Sequence, residues 1–190
     1  MGGADFAYWR NGILAADAAD WITVAAYGLA ALLAIRAGAV ARGGRGQRER
    51  NFWRASAVLM ALLGVNEVFD FQTLLTVAGR SFAREWGLFE QRRLYQSLFI
   101  AALALSALLL ALALLRTTRR MHVCVRVALG GLVFIGAFVL VRAASFHHVD
   151  TLLGMGPRSF NYGSLQEMAG IVLFAGAAWR YASVNRGRRR

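Results

Sequence analysis

The sequence contains no lysine, a single proline (Pro157) and a single cysteine (Cys124) in 190 residues. A lone cysteine excludes an internal disulfide, so the fold rests on packing. With one proline, the long apolar stretches are free of the residue that most strongly interrupts helices. Charge is also scarce, at 17% of residues, and it is nearly absent from residues 21–37, 55–78, 94–115, 123–144 and 165–179.

Those five stretches decide the class. Crossing a hydrocarbon core of ~30 Å takes roughly 20 apolar residues in a helix, and each stretch is close to that length. A helix of similar length in a water-soluble domain would carry polar residues along one face at helical spacing, and most of these do not. The expected fold is all-α: a polytopic membrane helix bundle of five transmembrane helices, forming one domain over residues 1–190. The first twenty residues lack the basic start, apolar centre and cleavage site of a secretory signal, so the first span is expected to remain in the mature protein. Phe6 stands where a myristoylation signal requires Ser or Thr, so no lipid anchor is expected.

The net charge of +12 suggests a phosphate-rich partner, but its distribution argues against nucleic acid. Of the 22 basic residues, all Arg, six lie between Arg36 and Arg54, four between Arg116 and Arg126 and five between Arg180 and Arg190. If the five spans alternate, these fifteen share one side and the other seven share the opposite side. Loops rich in Arg stay in the cytoplasm, which places the amino terminus outside and the carboxyl terminus inside a bacterial inner membrane. Nine of the ten acidic residues, all but Glu49, fall on the outer half. The loop "GAVARGGRGQRERN" and the tail "NRGRRR" then read as flexible cytoplasmic arms attracted to anionic lipid headgroups.

Aromatic and small residues fit this register. Trp53, Trp179 and Tyr181 suit the inner interface, and Trp21, Trp86, Tyr95 and Tyr162 the outer one. Ala26, Ala30 and Ala34, together with Gly130, Gly131 and Gly136, mark close helix contacts. Between the second and third spans, "GRSFAREWGLFEQRR" is too charged to cross and reads as an interfacial amphipathic segment over the outer mouth of the bundle.

Three clusters could carry chemistry, and all map to the outer third of the membrane. In "NEVFDFQ", Asn66, Glu67 and Asp70 fall within an arc of about 100° on one helix face. Ionisable groups inside a membrane are costly and are candidates for function, although an interhelical hydrogen-bond cluster would account for them equally well. In "RAASFHHVD", His147 and Asp150 are three apart on one side, and Arg142, Ser145 and His148 occupy the other. His147 with Asp150 could hold a zinc ion if the second span supplied further ligands, since zinc takes about four. Histidines that merely terminate the helix are the alternative. Arg142 is placed to neutralise Glu67 or Asp70. In "NYGSLQEMAG", Ser164 and Glu167 form an S-x-x-E capping box at the start of the fifth span, with Glu167 pointing into the same outer layer.

The combination of "NEVFDFQ", "EQRRLYQSLF" and "RAASFHHVD" resembles a family of small bacterial multi-span inner-membrane proteins with no assigned activity. That resemblance covers the second to fifth spans and implies a membrane setting without a substrate. Ser145, His148 and Asp70 are also similar to part of the site of the alkaline-ceramidase-related intramembrane zinc hydrolases. Here there are five spans rather than about seven, and no later H-x-x-x-H.

The function expected from these residues is binding. The outer polar pocket would recognise a lipid, a quinone or a membrane-protein partner, as an accessory subunit does. A metal-assisted lipid hydrolase is the alternative, and a proton or ion pathway the third reading. A pathway would need polar residues continuing to the inner face, where the spans offer little besides Arg54 and Arg126.

Overall fold

The computed structural model describes residues 18–41, 46–69, 92–144 and 162–187. Within them the chain is helical and contains no strand. The helices are α1 (Ala18–Val40), α2 (Gly46–Phe69), α3 (Arg92–Thr118), α4 (Val123–Ala144) and α5 (Tyr162–Gly187). Two of them, α1 and α2, are long and apolar enough to cross a membrane.

On α1, α2, α4 and α5 the buried residues recur mostly every three or four positions, so each of these helices turns one stripe inward, while among the described side chains of α3 only Thr118 is buried. On α1 the stripe is Thr23, Tyr27, Ala30, Ala31, Ala34, Ala37 and Gly38. On α2 it is Glu49, Trp53, Ser56, Ala57, Met60 and Gly64. Along α1 beyond Tyr27 the buried positions are small and the bulky apolar ones lie outside. Ala30 and Ala34 are fully buried, while Leu32 between them is 60% exposed. Leu29, Ile35, Val58 and Leu62 are exposed in the same way, as are Leu105, Leu109 and Val172. Small side chains inside let the helix backbones approach, and bulky apolar ones cover the outside.

α1 and α2 are antiparallel. Gly38 faces Trp53 near one end of the pair, and Gly64 faces Tyr27 near the other, where an added Cβ would stand 3.1 Å from the Tyr27 Cβ. α4 and α5 are antiparallel too, crossing where Gly131 meets Gly170 and Phe174. The main packings are α1 with α2, α4 with α5 and α1 with α5, while α3 leans chiefly on α4. One end of the bundle therefore gathers the start of α1, the end of α2, the end of α4 and the start of α5. This is the Glu167 end. The opposite, Arg-rich end is the Glu49 end.

Several expectations are corrected here. The second helix begins at Gly46, nine residues before the expected Ala55, so much of "GAVARGGRGQRERN" is ordered helix and not a flexible arm. Two hydrogen bonds and one buried side chain explain this. Gln47 donates from its amide to Asn51 one turn on at 2.9 Å, the Arg50 guanidinium donates to the Ala41 carbonyl at 3.0 Å, and Glu49 is buried. Trp53 and Tyr181 are core residues at 0% and 2% exposure, not interfacial anchors, whereas Trp179 and Trp21 are exposed as expected. Of the three glycines on the fourth span, only Gly131 lies at a helix crossing; Gly130 and Gly136 face open space. Helix α5 already begins at Tyr162, so Ser164 is not its capping residue.

Candidate functional site

The expected outer pocket is partly described, and what is described meets at the Glu167 end. Glu167 is 5% exposed, in the second turn of α5. Its Oε1 accepts a hydrogen bond from the Tyr27 hydroxyl of α1 at 2.5 Å. The carboxylate is thus used for tying two helices together and not for a capping box. The Tyr27 Cβ also abuts Gly64 on α2, within one turn of Asn66 and Glu67. A tyrosine fits here because α2 has no side chain at Gly64, and the space left lets the ring pass between the helices and deliver its hydroxyl to α5. Asn66 and Glu67 are half-buried in the last turn of α2. Arg142 lies in the last turn of α4 at this same end, its side chain outside the described residues. Asp70, Ser145, His147, His148 and Asp150 are outside the described residues altogether, as is the amphipathic segment around Trp86. The zinc expectation at His147 and Asp150 therefore lies outside them too; among the described residues no three His, Cys, Asp or Glu side chains gather as a metal site would require.

Tyr27→Phe is expected to cost about 1–2 kcal/mol of unfolding free energy, because a buried acceptor loses its hydroxyl donor. Thermal unfolding of the detergent-solubilised protein measures this. Glu167→Gln keeps an oxygen acceptor and should fall between the wild type and Tyr27→Phe.

A second buried carboxylate occupies the opposite end, and sequence reasoning missed it. Glu49 is 8% exposed in the first turn of α2. Its Oε1 accepts from the backbone N–H of His122 at 2.8 Å, and its Oε2 from the Tyr181 hydroxyl of α5 at 2.5 Å. One side chain thereby ties the start of α2 to the entry of α4 and the end of α5. His122 in turn opens α4: its Nδ1 accepts from the N–H of Cys124 at 3.2 Å, supplying a partner to one of the donors that a helix start leaves free. The rings close around this point. His122 stands edge-on to Tyr181 with centroids 5.4 Å apart, and Trp53 packs on Tyr181 at 5.3 Å and on Phe174 at 5.9 Å.

A signal for this second site was present. Glu49 is the one acid among the Arg of the basic side, and Trp53, Ser56, Ala57 and Met60 continue its helical spacing. Extending the second span backwards along that stripe reaches Glu49 directly.

The two Glu–Tyr pairs lie on one face of α5. Glu167 and Tyr181 are fourteen residues apart, which is roughly 21 Å along the axis and within about 40° in rotation. Between them that face carries Ile171, Phe174 and Ala178, all essentially fully buried. Along α5, the stretch joining the two ends is apolar.

No protein-family model, curated protein or solved structure matches this chain.

Proposed function

We propose that this chain is a five-span inner-membrane protein whose Glu167 end is a polar binding pocket for a lipid, a quinone or a membrane-protein partner. The observation that carries the membrane part is the bulky apolar surface that α1 and α2 leave exposed. Only 28% of the apolar window of α1, and the same share of α2, is buried inside the bundle, and the large side chains left exposed on the two helices are apolar: Trp21, Ile22, Leu29, Leu32 and Ile35 on α1, Val58, Leu59, Leu62, Val65 and Phe69 on α2. Such a surface is stable against acyl chains and aggregates in water. In this reading α3, α4 and α5 cross as well, and the Arg-rich Glu49 end faces the cytoplasm.

The pocket part is supported by the meeting of Glu167, Tyr27, Asn66 and Glu67 at one end, with Arg142 of α4 at the same level. A few convergent polar groups in apolar walls suffice to orient a ligand. Binding is favoured over a proton or ion pathway because the α5 face between Glu167 and Tyr181 carries Ile171, Phe174 and Ala178, and among the described residues no ionisable side chain lies on it between the two ends. The Arg-rich loops would contact anionic headgroups on the cytoplasmic side.

Two measurements test this. On a Cys124→Ala background, cysteines placed singly at Gly44 and Gly156 are expected to react with a membrane-impermeant thiol reagent from opposite sides of the membrane. Reaction of both from outside overturns the topology. Solvent extracts of the gently purified protein, analysed by mass spectrometry, are expected to contain a quinone or lipid in near-stoichiometric amount that Asn66→Ala and Glu67→Ala lose. Equal amounts in wild type and both variants overturn the pocket.

A further inference from the structure

A groove runs between α2 and the end of α3, closed at its back by α4. It encloses about 330 Å³, within the range of about 300–1,000 Å³ that small-molecule sites occupy. It stays open because α3 leans on α4 and does not close against α2. Its walls are apolar, formed by Phe52, Ala55, Leu59, Leu114, Met121 and Leu132.

The mouth of the groove is cationic. Arg48 lines it directly. Exposed Arg116, Arg119 and Arg120 alternate in the chain with the lining residues Thr117, Thr118 and Met121. The guanidinium groups there outnumber the acids. Among the described residues the only carboxylate of this end is Glu49, which is buried and whose two oxygens accept from Tyr181 and His122. An apolar slot that opens among guanidinium groups matches an amphiphile with an anionic head and a hydrocarbon tail. Arg is suited to such a head because its fork of N–H donors fits phosphate oxygens.

We propose that this groove binds one anionic phospholipid of the cytoplasmic leaflet, with an acyl chain between α2 and α3 and its phosphate at Arg48, Arg119 and Arg120. The assignment rests on the membrane-spanning reading above. It is distinct from the polar pocket, since it lies at the opposite end of the bundle and uses none of the same residues.

The experiment is native mass spectrometry of the full chain in detergent, titrated separately with phosphatidylglycerol and phosphatidylcholine of equal chain length. A single phosphatidylglycerol adduct is expected, favoured over phosphatidylcholine by about fivefold or more, the effect of one to two guanidinium contacts. Arg48→Gln and Arg120→Gln should each reduce that preference several-fold, while Arg186→Gln at the end of α5 leaves it unchanged. Leu59→Trp, at a half-exposed wall position, should abolish the single adduct for steric reasons without lowering the unfolding temperature. Equal retention of the two lipids, or the same loss from Arg186→Gln as from Arg48→Gln, overturns the groove assignment in favour of diffuse charge attraction. Alkaline carbonate extraction of the source membranes separates the two claims. A chain released by carbonate sinks the membrane reading itself, and a chain that remains but shows no lipid preference sinks only the groove.

Discussion

Glu49→Ala is expected to lower the unfolding free energy of the purified protein by about 2–4 kcal/mol. The substitution takes an acceptor from the buried Tyr181 hydroxyl and from the His122 N–H at once, and an orphaned buried donor costs about 1–3 kcal/mol. It also releases three helices from one another, because Glu49 belongs to α2, Tyr181 to α5 and His122 to the entry of α4. Glu49→Gln keeps an oxygen acceptor for one of the two donors and should retain more than half of the lost stability. Tyr181→Phe alone should cost about 1–2 kcal/mol, since Glu49 Oε2 loses its hydroxyl donor while Oε1 keeps the His122 N–H. The decisive comparison is the double variant. Tyr181→Phe added to Glu49→Ala should cost almost nothing further, because the orphaned hydroxyl has been removed along with its acceptor. Thermal unfolding in detergent reads all four proteins, and strictly additive losses would show that the two residues do not act through one contact.

Gly131→Ala is expected to destabilise the bundle by about 1–3 kcal/mol, the usual penalty of forcing a methyl into a filled contact. A Cβ on Gly131 would stand 3.0 Å from the carbonyl oxygen of Gly170 and 3.0 Å from the backbone nitrogen of Phe174. Neither can move without shifting α5 as a whole. Gly130→Ala and Gly136→Ala are the controls, because an added Cβ at either meets nothing within 4 Å. Both should lie within about 0.5 kcal/mol of the wild type, as substitutions on a free helix face do. A Gly131→Ala protein as stable as these controls would mean that α4 and α5 do not cross where the backbones meet.

How much was legible before folding depends on the range of the physics involved. Helix number and approximate position follow from the apolar stretches, because backbone groups in such stretches must be satisfied locally and only a helix does so within the segment. The expected α4, residues 123–144, coincides with the observed helix for that reason. The start of α2 was misplaced because hydropathy weighs each residue by itself. Arg48, Arg50 and Arg54 make the stretch look like a loop, yet Arg50 closes onto the Ala41 carbonyl and Glu49 is drawn inside. Those contacts reach across helices and leave no mark on a sliding window.

The candidate site divides in the same way. Glu167 was found because a carboxyl inside an apolar stretch stands out, but its role was assigned to its own helix start when its partner is Tyr27, 140 residues earlier. Likewise Trp53 and Tyr181 resemble interfacial anchors by composition. Packing against Trp53 and His122 and hydrogen bonding to Glu49 make Tyr181 a core residue, and Trp53 fills the space beside Gly38.

By itself the sequence determined the all-helical class, the apolar lengths of α1 and α2 and the concentration of Arg in three segments, since these depend only on local composition and the 3.6-residue repeat. Tertiary structure alone decided which glycine is a crossing point, which carboxylates are paired and where a groove remains open. Gly130 and Gly131 are chemically identical neighbours, yet about 100° of helical rotation turns one to open space and the other onto the backbone of α5. Glu49 on α2 and Glu167 on α5 are likewise the same residue type at opposite ends of the bundle, and each is buried where a tyrosine from another helix arrives with a hydroxyl to donate. Burial of a polar group requires a partner, and the partner's position is a property of the packed helices and not of the residues beside it in the chain.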